Sequence, residues 1–436
     1  MADVANIAKI PELRKRILFT ILMLGIYRIG IFVPTPGVDT GELTRLIASG
    51  TVFDIFNLFS GGALQKFSVF ALGIMPYISS SIIFQLLSVA VPSIQRLQKE
   101  EGEAGRHKIT QYTRYTTVLV SLIQGFGLSY GLQAQGIVLP GVGGFSFYLT
   151  SIVTLTAGTC FLMWLGEMIT ERGIGNGISL IIFAGIAARI PAAFRDAWDA
   201  KEQYAGLFGF LLLLVGIAAI IGVIIFMERA QRRIPVQYAK RVVGRKMYGM
   251  QSTHLPLKVN SAGVIPPIFA SSIILFPATI AQFAKHNEIL EMVAHTLSAG
   301  WIYIVLYVSL IIFFAYFYTA VAFNPVDVAE NLKKYGGYVP GIRPGQNTAD
   351  FIDRILSRIT LGGSLYLATV CILPSLVSEK FGIPSSLSYT FGGTSLLILV
   401  GVGMDTLSQI EAHLLSRHYE GFLGAKAGGR FRGRQG

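Results

Sequence analysis

Leu207 to Met227 reads LFGFLLLLVGIAAIIGVIIFM, a run without a single charge. Wound as an α-helix at about 1.5 Å per residue, it is long enough to cross the roughly 30 Å hydrocarbon core of a bilayer. Lipid offers no partner to backbone N–H and C=O groups, so such a run has to be helical. Outward from it, comparable apolar runs lie near 17–33, 69–90, 115–136, 147–168, 177–190, 262–284, 301–322, 359–378 and 389–410. The composition agrees: 52% of the 436 residues are apolar and only 14% charged, against about 25% charged in soluble domains. The expected fold is an all-α polytopic membrane protein with ten transmembrane helices. The run at 177–190 is short, so nine is the alternative count.

Lys and Arg set the orientation. Alternate loops carry 28 basic residues on one side (the N-terminus, 91–114, 169–176, 228–258, 323–358 and the tail) and 7 on the other, with Arg28 inside the first run. That asymmetry places both termini in the cytoplasm and favours an even number of spans. Arg28 interrupts the first apolar run and no small-residue cleavage site follows, so this run reads as a span and not as a removed signal. Ten spans divide into five plus five. Halves with an odd number of spans enter the membrane from opposite sides, which is an inverted repeat. Residues 1–190 and 207–411 are the two halves, with 412–436 a basic tail.

The spans carry little that could do chemistry. Glu167, Glu228 and Asp405 fall near span ends, where capping or a loop partner accounts for them, and nothing resembles a proton relay. The histidines at 107, 254, 286, 295, 413 and 418 have no metal-ligand spacing. Gly173 to Gly177 (GIGNG) superficially resembles a nucleotide loop. It precedes a span and follows no strand, so a tight turn is expected. Cys160 and Cys371 sit in apolar runs and read as buried thiols. No cofactor is expected.

Two spans share an oddity. The second holds Gly73 and Pro76, then Ser79, Ser80 and Ser81; the seventh holds Gly263, Pro266, Pro267 and Pro277 with Ser271 and Ser272. Helix breakers in corresponding spans of two halves point to a seam that opens, although ordinary kinked packing helices fit the same pattern. Ile74 and Ile78 share one face of their helix, as do Ile178 and Ile182; periodicity alone makes these lipid-facing or packing residues. Three loops stand out. Phe53 to Lys66 (FDIFNLFSGGALQK) is apolar, too short to span, and broken at Ser60-Gly61-Gly62, which fits a short re-entrant helix or an interfacial one. Residues 228–258 hold a basic hairpin containing Arg241, Arg245 and Lys246, whose length suggests a docking surface beyond what positive-inside bias needs. Residues 323–358 contain PGIRPG, two Pro-Gly turns that leave Arg343 on an exposed tip; a solvated loop arginine or a partner contact both fit.

FALGIMPYI (70–78), ITQYTRY (109–115), ITERGIGNG (169–177), QSTHLPLK (251–258), PGIRPG (340–345) and FGGTS (391–395) together resemble the SecY/Sec61-alpha family of translocase channel subunits, over about residues 12–420. The resemblance implies a clamshell of two inverted five-helix halves around a central pore. It implies a constriction ring at Ile74, Ile78, Ile178, Ile182, Ile268 and Ile398. It implies a plug over about 52–66, including Phe56, Asn57, Phe59, Ser60, Gly61 and Gly62, and a lateral gate at Pro76, Ser80, Pro266 and Ser271. Arg343, Arg241, Arg245 and Lys246 match positions that dock the ribosome and the SecA ATPase, and SecE and SecG are the implied companion subunits. The implied function is passage of signal peptides and unfolded polypeptides across a bacterial plasma membrane, with apolar segments released sideways into lipid. The competing reading is a secondary transporter with inverted repeats, which would need a polar pocket at the midplane that the sequence does not offer. An intramembrane protease lacks its nucleophile and metal motifs.

Overall fold

The computed structural model of the chain describes residues 11–48, 57, 60–99, 102–139, 144–199, 201–204, 206–238, 242–243, 246–247, 252–283, 300–381 and 392–428. In chain order the helices are α1 (Pro11–Gly30), α2 (Thr40–Ala48), α3 (Met75–Ala90), α4 (Pro92–Lys99), α5 (Gly102–Ala134), α6 (Phe145–Arg172), α7 (Gly177–Ala187), α8 (Ile190–Asp199) and α9 (Gly206–Arg229). Strands β1 (Gln231–Tyr238), β2 (Val242–Val243), β3 (Lys246–Met247) and β4 (Ser252–Lys258) come next. The chain then runs through α10 (Ile265–Phe283), α11 (Trp301–Ala322), α12 (Pro325–Lys334), β5 (Gly337–Tyr338), α13 (Gln346–Phe381) and α14 (Gly393–Gly428).

The architecture is an all-helical polytopic membrane fold. Six stretches of the described residues are long and apolar enough to cross a bilayer: Phe145–Arg172, Gly177–Asp199, Gly206–Arg229, Trp301–Lys334, Gln346–Pro374 and Gly393–Leu414. Met75–Ala90 and Ile265–Ile274 are shorter apolar helices. Hydroxyls inside these helices are satisfied by the turn before them: Ser80 donates to the Pro76 carbonyl at 2.8 Å, Thr159 to Leu155 at 3.1 Å and Thr319 to Ala315 at 2.7 Å. This lets a small polar side chain sit in an apolar helix without an orphaned donor.

Most of the expected helix breakers turn out to start helices, whereas Pro277 lies inside α10. Gly73 takes a left-handed φ of 57° and α3 begins two residues later, with Pro76 in its first turn. Gly263 takes φ 63° and α10 begins at Ile265, with Pro266 and Pro267 in its first turn. Proline is tolerated there because the first N–H groups of a helix have no intrahelical acceptor. The second apolar run is therefore not helical over 69–74, where the chain runs in turns.

The chain forms two compact units. The first comprises 1–80, 111–192 and 398–436; the second comprises 81–110 and 193–397.

In the first unit, the segment 69–70 lies between α1 and α6. Phe70 stacks on Tyr27 at 6.2 Å and on Phe161 at 5.8 Å between ring centroids. A Cβ on Gly30 would overlap the Phe70 ring, and one on Gly158 would overlap the Val69 carbonyl, so both glycines are demanded by close approach. Arg114 of α5 grips Glu167 of α6 through two hydrogen bonds of 2.9 and 2.8 Å, which supplies the partner expected for that carboxylate. The GIGNG turn is stitched down on all sides. Ile174 N–H donates to Thr20 Oγ1 at 3.1 Å, Gly175 N–H to Gln409 Oε1 at 3.0 Å and Gly177 N–H to Thr170 Oγ1 at 2.9 Å. Asn176 Oδ1 caps α7 by accepting from Ile178 and Ser179 at 3.1 and 3.3 Å. Amides already held by side chains do not form a phosphate cradle, so the turn is structural.

In the second unit, β4, β1 and β5 form one antiparallel sheet. The pairing of β1 with β4 runs from Gln231↔Lys258 to Gln237↔Ser252, which is the expected hairpin over 228–258. Pro235 sits in the middle strand, but β5 pairs only at Gln237↔Tyr338 and Tyr238↔Gly337, so that side of Pro235 needs no N–H. Ile234, Leu257, Val339 and Ile352 make a small core of their own, with Phe323, Leu332, Ile342 and Phe351 packed around it. Glu228 at the end of α9 accepts from Asn260 Nδ2 at 2.7 Å, which again gives a near-terminal carboxylate its loop partner.

Candidate functional site

The segment matching the plug lies in the first unit. Phe56 and Phe59 fall outside the described residues, as do 52–55 and 58, so most of the expected re-entrant helix lies there too. Asn57 is helical, and from Ser60 to Ile74 the chain runs in turns except for an isolated bridge at Ser68. Gly61 and Gly62 impose this with left-handed φ values of 67° and 91°. The turn is tied internally by Asn57: its carbonyl accepts from Gly62 N–H at 2.9 Å and its Oδ1 from Gln65 N–H at 3.1 Å. It is tied externally by α1. Tyr27 Oη donates to the Ser60 carbonyl at 3.2 Å and Arg28 Nη1 to the Gly61 carbonyl at 3.1 Å. On α7, Gly185 lets the turn approach: a Cβ on Gly61 would lie 2.7 Å from the Gly185 Cα. The far end is fixed by backbone, with Thr35 N–H donating to Phe67 O at 2.8 Å and Val69 N–H to Val33 O at 3.0 Å. Asn57, Ser60, Ala63, Leu64 and Phe67 are all buried.

Five of the six isoleucines matched to the constriction are buried: Ile74 2% exposed, Ile78 6%, Ile182 3%, Ile268 8% and Ile398 1%. Ile178 is half-buried. Other large apolar residues of this chain's helices look different, for Leu18 is 66% exposed and Phe208 74%. Of the two readings that periodicity left open for Ile74, Ile78 and Ile182, burial removes the lipid-facing one. Ile74, Ile78, Ile178, Ile182 and Ile398 belong to the first unit and Ile268 to the second.

The residues matched to a lateral gate divide likewise. Pro76 and Ser80 are buried in the first unit; Pro266 and Ser271 are buried in the second. Ser271 and Ser272 both donate to the Ile268 carbonyl, at 2.9 and 2.8 Å, so neither hydroxyl is left unpaired in an apolar surrounding.

Among the residues matched to docking positions, Arg343 is exposed on a turn that the fold holds rigidly. Ile342 N–H donates to Val339 O at 3.1 Å, Thr348 Oγ1 donates to the Arg343 carbonyl at 2.9 Å, and Gly341 and Gly345 take φ values of 81° and 109°. Ile342 packs on the small core, so the guanidinium is carried on an anchored base. Arg241 and Arg245 fall outside the described residues. Lys246 lies in β3, paired with Val243 of β2. Among the described residues, no group of three His, Cys, Asp or Glu side chains could hold a metal ion.

The SecY family profile matches residues 68–407. The chain belongs to the SecY family. The protein translocase subunit SecY of Escherichia coli (strain K12) is 50% identical over 425 residues, which cover 94% of each chain. A solved protein-conducting channel shares the fold with a TM-score of 0.68 at 16% identity, over 95% of this chain and 98% of its own. Sec61 in a canine ribosome–channel complex from the endoplasmic reticulum does so with a TM-score of 0.64 at 16% identity, over 95% and 98%. As a member of this family, the chain is a protein-conducting translocation channel and not an enzyme, and the solute-transporter reading is set aside.

Sequence reasoning missed two features of this chain. Tyr27 and Arg28 reach the plug segment from more than thirty residues away, and only the charge of Arg28 inside an apolar run hinted at a buried acceptor. The joining of the 228–258 and 323–358 loops into one sheet left no trace in either loop, because β5 is a two-residue strand.

Proposed function

We propose that the chain carries unfolded polypeptides across the plasma membrane of a bacterium, with both termini in the cytoplasm. In this reading ten transmembrane helices form two inverted halves, 1–190 and 207–411, closing as a clamshell on a central pore. Ile74, Ile78, Ile178, Ile182, Ile268 and Ile398 form an aliphatic ring at its waist. The observation that carries the proposal is the burial of five of these six isoleucines, on apolar helices that expose other large aliphatic residues freely. An apolar constriction of this kind closes by dewetting, and a deformable aliphatic seal fits around a chain whose side chains vary.

The plug segment, about 52–66, closes the pore at rest. Spans two and seven, with Pro76, Ser80, Pro266 and Ser271, form the seam through which apolar segments and signal peptides leave for lipid. The sorting energy is adequate: ten Leu-like residues at about −0.5 kcal/mol each favour lipid by roughly 5 kcal/mol, and one central Asp or Lys opposes this by about 3 kcal/mol. Arg343, Arg241, Arg245 and Lys246 form the docking face for the ribosome and a SecA ATPase, and SecE and SecG complete the complex. The ribosome assignment is supported by the fold neighbour solved on one. The rigid turn under Arg343 supports its role as a fixed contact.

The test is ionic leakage through the reconstituted complex at rest. Replacing Ile74, Ile182 and Ile398 together with serine raises conductance, because hydroxyls wet the waist; unchanged conductance would remove the ring from the account. Arg343→Glu blocks precursor uptake driven by SecA and ATP in vesicles while insertion and folding stay normal, and normal uptake in that variant would remove the docking role.

A further inference from the structure

We infer that Tyr27 and Arg28 of α1 form a catch that holds the plug segment in its closed position; this rests on the plug reading above. Two neighbouring side chains of one helix donate to two successive carbonyls of one turn, Ser60 at 3.2 Å and Gly61 at 3.1 Å. Tyr27 is 1% exposed, so its hydroxyl is aimed into the protein, and Arg28 is half-buried beside it. The same turn is pressed against α7, where a Cβ on Gly61 would meet Gly185 Cα at 2.7 Å and the Tyr27 hydroxyl at 2.9 Å. The two donors therefore act where the segment comes close to α7.

The chemistry suits a contact that is made and broken. A guanidinium at membrane depth is costly without hydrogen bonds. Had its partner been a carboxylate, separating the pair would expose two charges. The partner here is a neutral carbonyl, and water in a vacated passage replaces it with little loss. Placement of a cation in the last turn of α1 also complements the helix dipole, which accounts for a charge at position 28 but not for the tyrosine hydroxyl beside it. A bond present only when the segment is seated shifts the equilibrium towards the closed state by its own strength.

The experiment uses the full-length chain with its companion subunits in planar bilayers and vesicles. Resting ion conductance is measured together with maleimide labelling of Ala63→Cys from the outer side, with the unmodified chain as background for Cys160 and Cys371. Ala63 is fully buried, so labelling reports displacement of the segment. Tyr27→Phe raises both readouts about fivefold and Arg28→Leu more than about tenfold, the size expected for losing a neutral and a charged donor. Arg28→Lys, which keeps a charged donor, stays nearer the parent. A purely structural role would lower the melting temperature without raising labelling. If the two donor variants behave as the parent while deletion of 57–66 raises both readouts, the catch is wrong and the plug stands. If the deletion also changes nothing, the plug reading itself fails and takes the catch with it.

Discussion

Gln237 and Tyr338 meet twice. They are paired residues of β1 and β5, and the Tyr338 hydroxyl donates to Gln237 Oε1 at 3.1 Å. This double contact joins two loops about a hundred residues apart into one folded module with a shared core of Ile234, Leu257, Val339 and Ile352. The turn that carries Arg343 and the β1–β4 hairpin therefore stand on one body.

A shared core means shared stability. Ile234→Ala removes a buried side chain and weakens the module by about 2–4 kcal/mol. Limited proteolysis in detergent checks it: the 228–258 and 323–358 loops become cleavable together and at the same protease concentration. Cleavage of the first loop alone, with the second still protected, would mean that they fold separately.

The Arg114–Glu167 pair is bidentate, with 44% of the arginine and 20% of the glutamate side chain exposed. Exposure on the arginine side limits its coupling to about 1 kcal/mol despite the good geometry. Arg114→Glu lowers the melting temperature of the purified complex, and adding Glu167→Arg recovers part of the loss. A double variant less stable than either single one would show that the pair does not act as a unit.

Glycine positions separate packing from propensity. Gly158→Ala places a methyl on the Val69 carbonyl, whereas Gly216 and Gly222 of α9 have open space around a would-be Cβ. We expect Gly158→Ala to cost more than about 2 kcal/mol and to reduce the yield of inserted protein. Gly216→Ala should leave both unchanged, and equal losses in the two variants would argue against the close approach of 69–70 to α6.

Asn176 satisfies two amides at the start of α7. Asn176→Ala removes that cap at a cost of about 1 kcal/mol, and Asn176→Asp retains it. Thermal unfolding of the two variants distinguishes them; identical midpoints would mean that Thr20, Thr170 and Gln409 hold the turn without the cap.

What was readable from the sequence depended on the range of the interaction. Uninterrupted apolar runs such as 207–227 announce helices because lipid leaves the backbone no other choice, and the β1–β4 hairpin follows from local alternation. The partners of Arg28 and Glu167 are not local: nothing near Arg28 names Gly61, and nothing near Glu167 names Arg114. Gly73, Pro76, Gly263 and Pro266 were readable as interruptions, but whether a proline kinks a helix or begins one depends on the φ of the glycine before it. The six isoleucines carried no signal of their own, since packed and lipid-facing aliphatic residues share one alphabet; burial separates the two for all but Ile178.

The most direct test of the central claim is photo-crosslinking of a secretory chain arrested midway through the membrane, from probes placed singly at Ile74, Ile78, Ile178, Ile182, Ile268 and Ile398. All six positions should crosslink to the arrested polypeptide, with probes at Leu18 and Phe208 giving lipid adducts instead. Crosslinks to lipid from the six, or to the polypeptide from Leu18 and Phe208, would contradict a passage lined by these isoleucines.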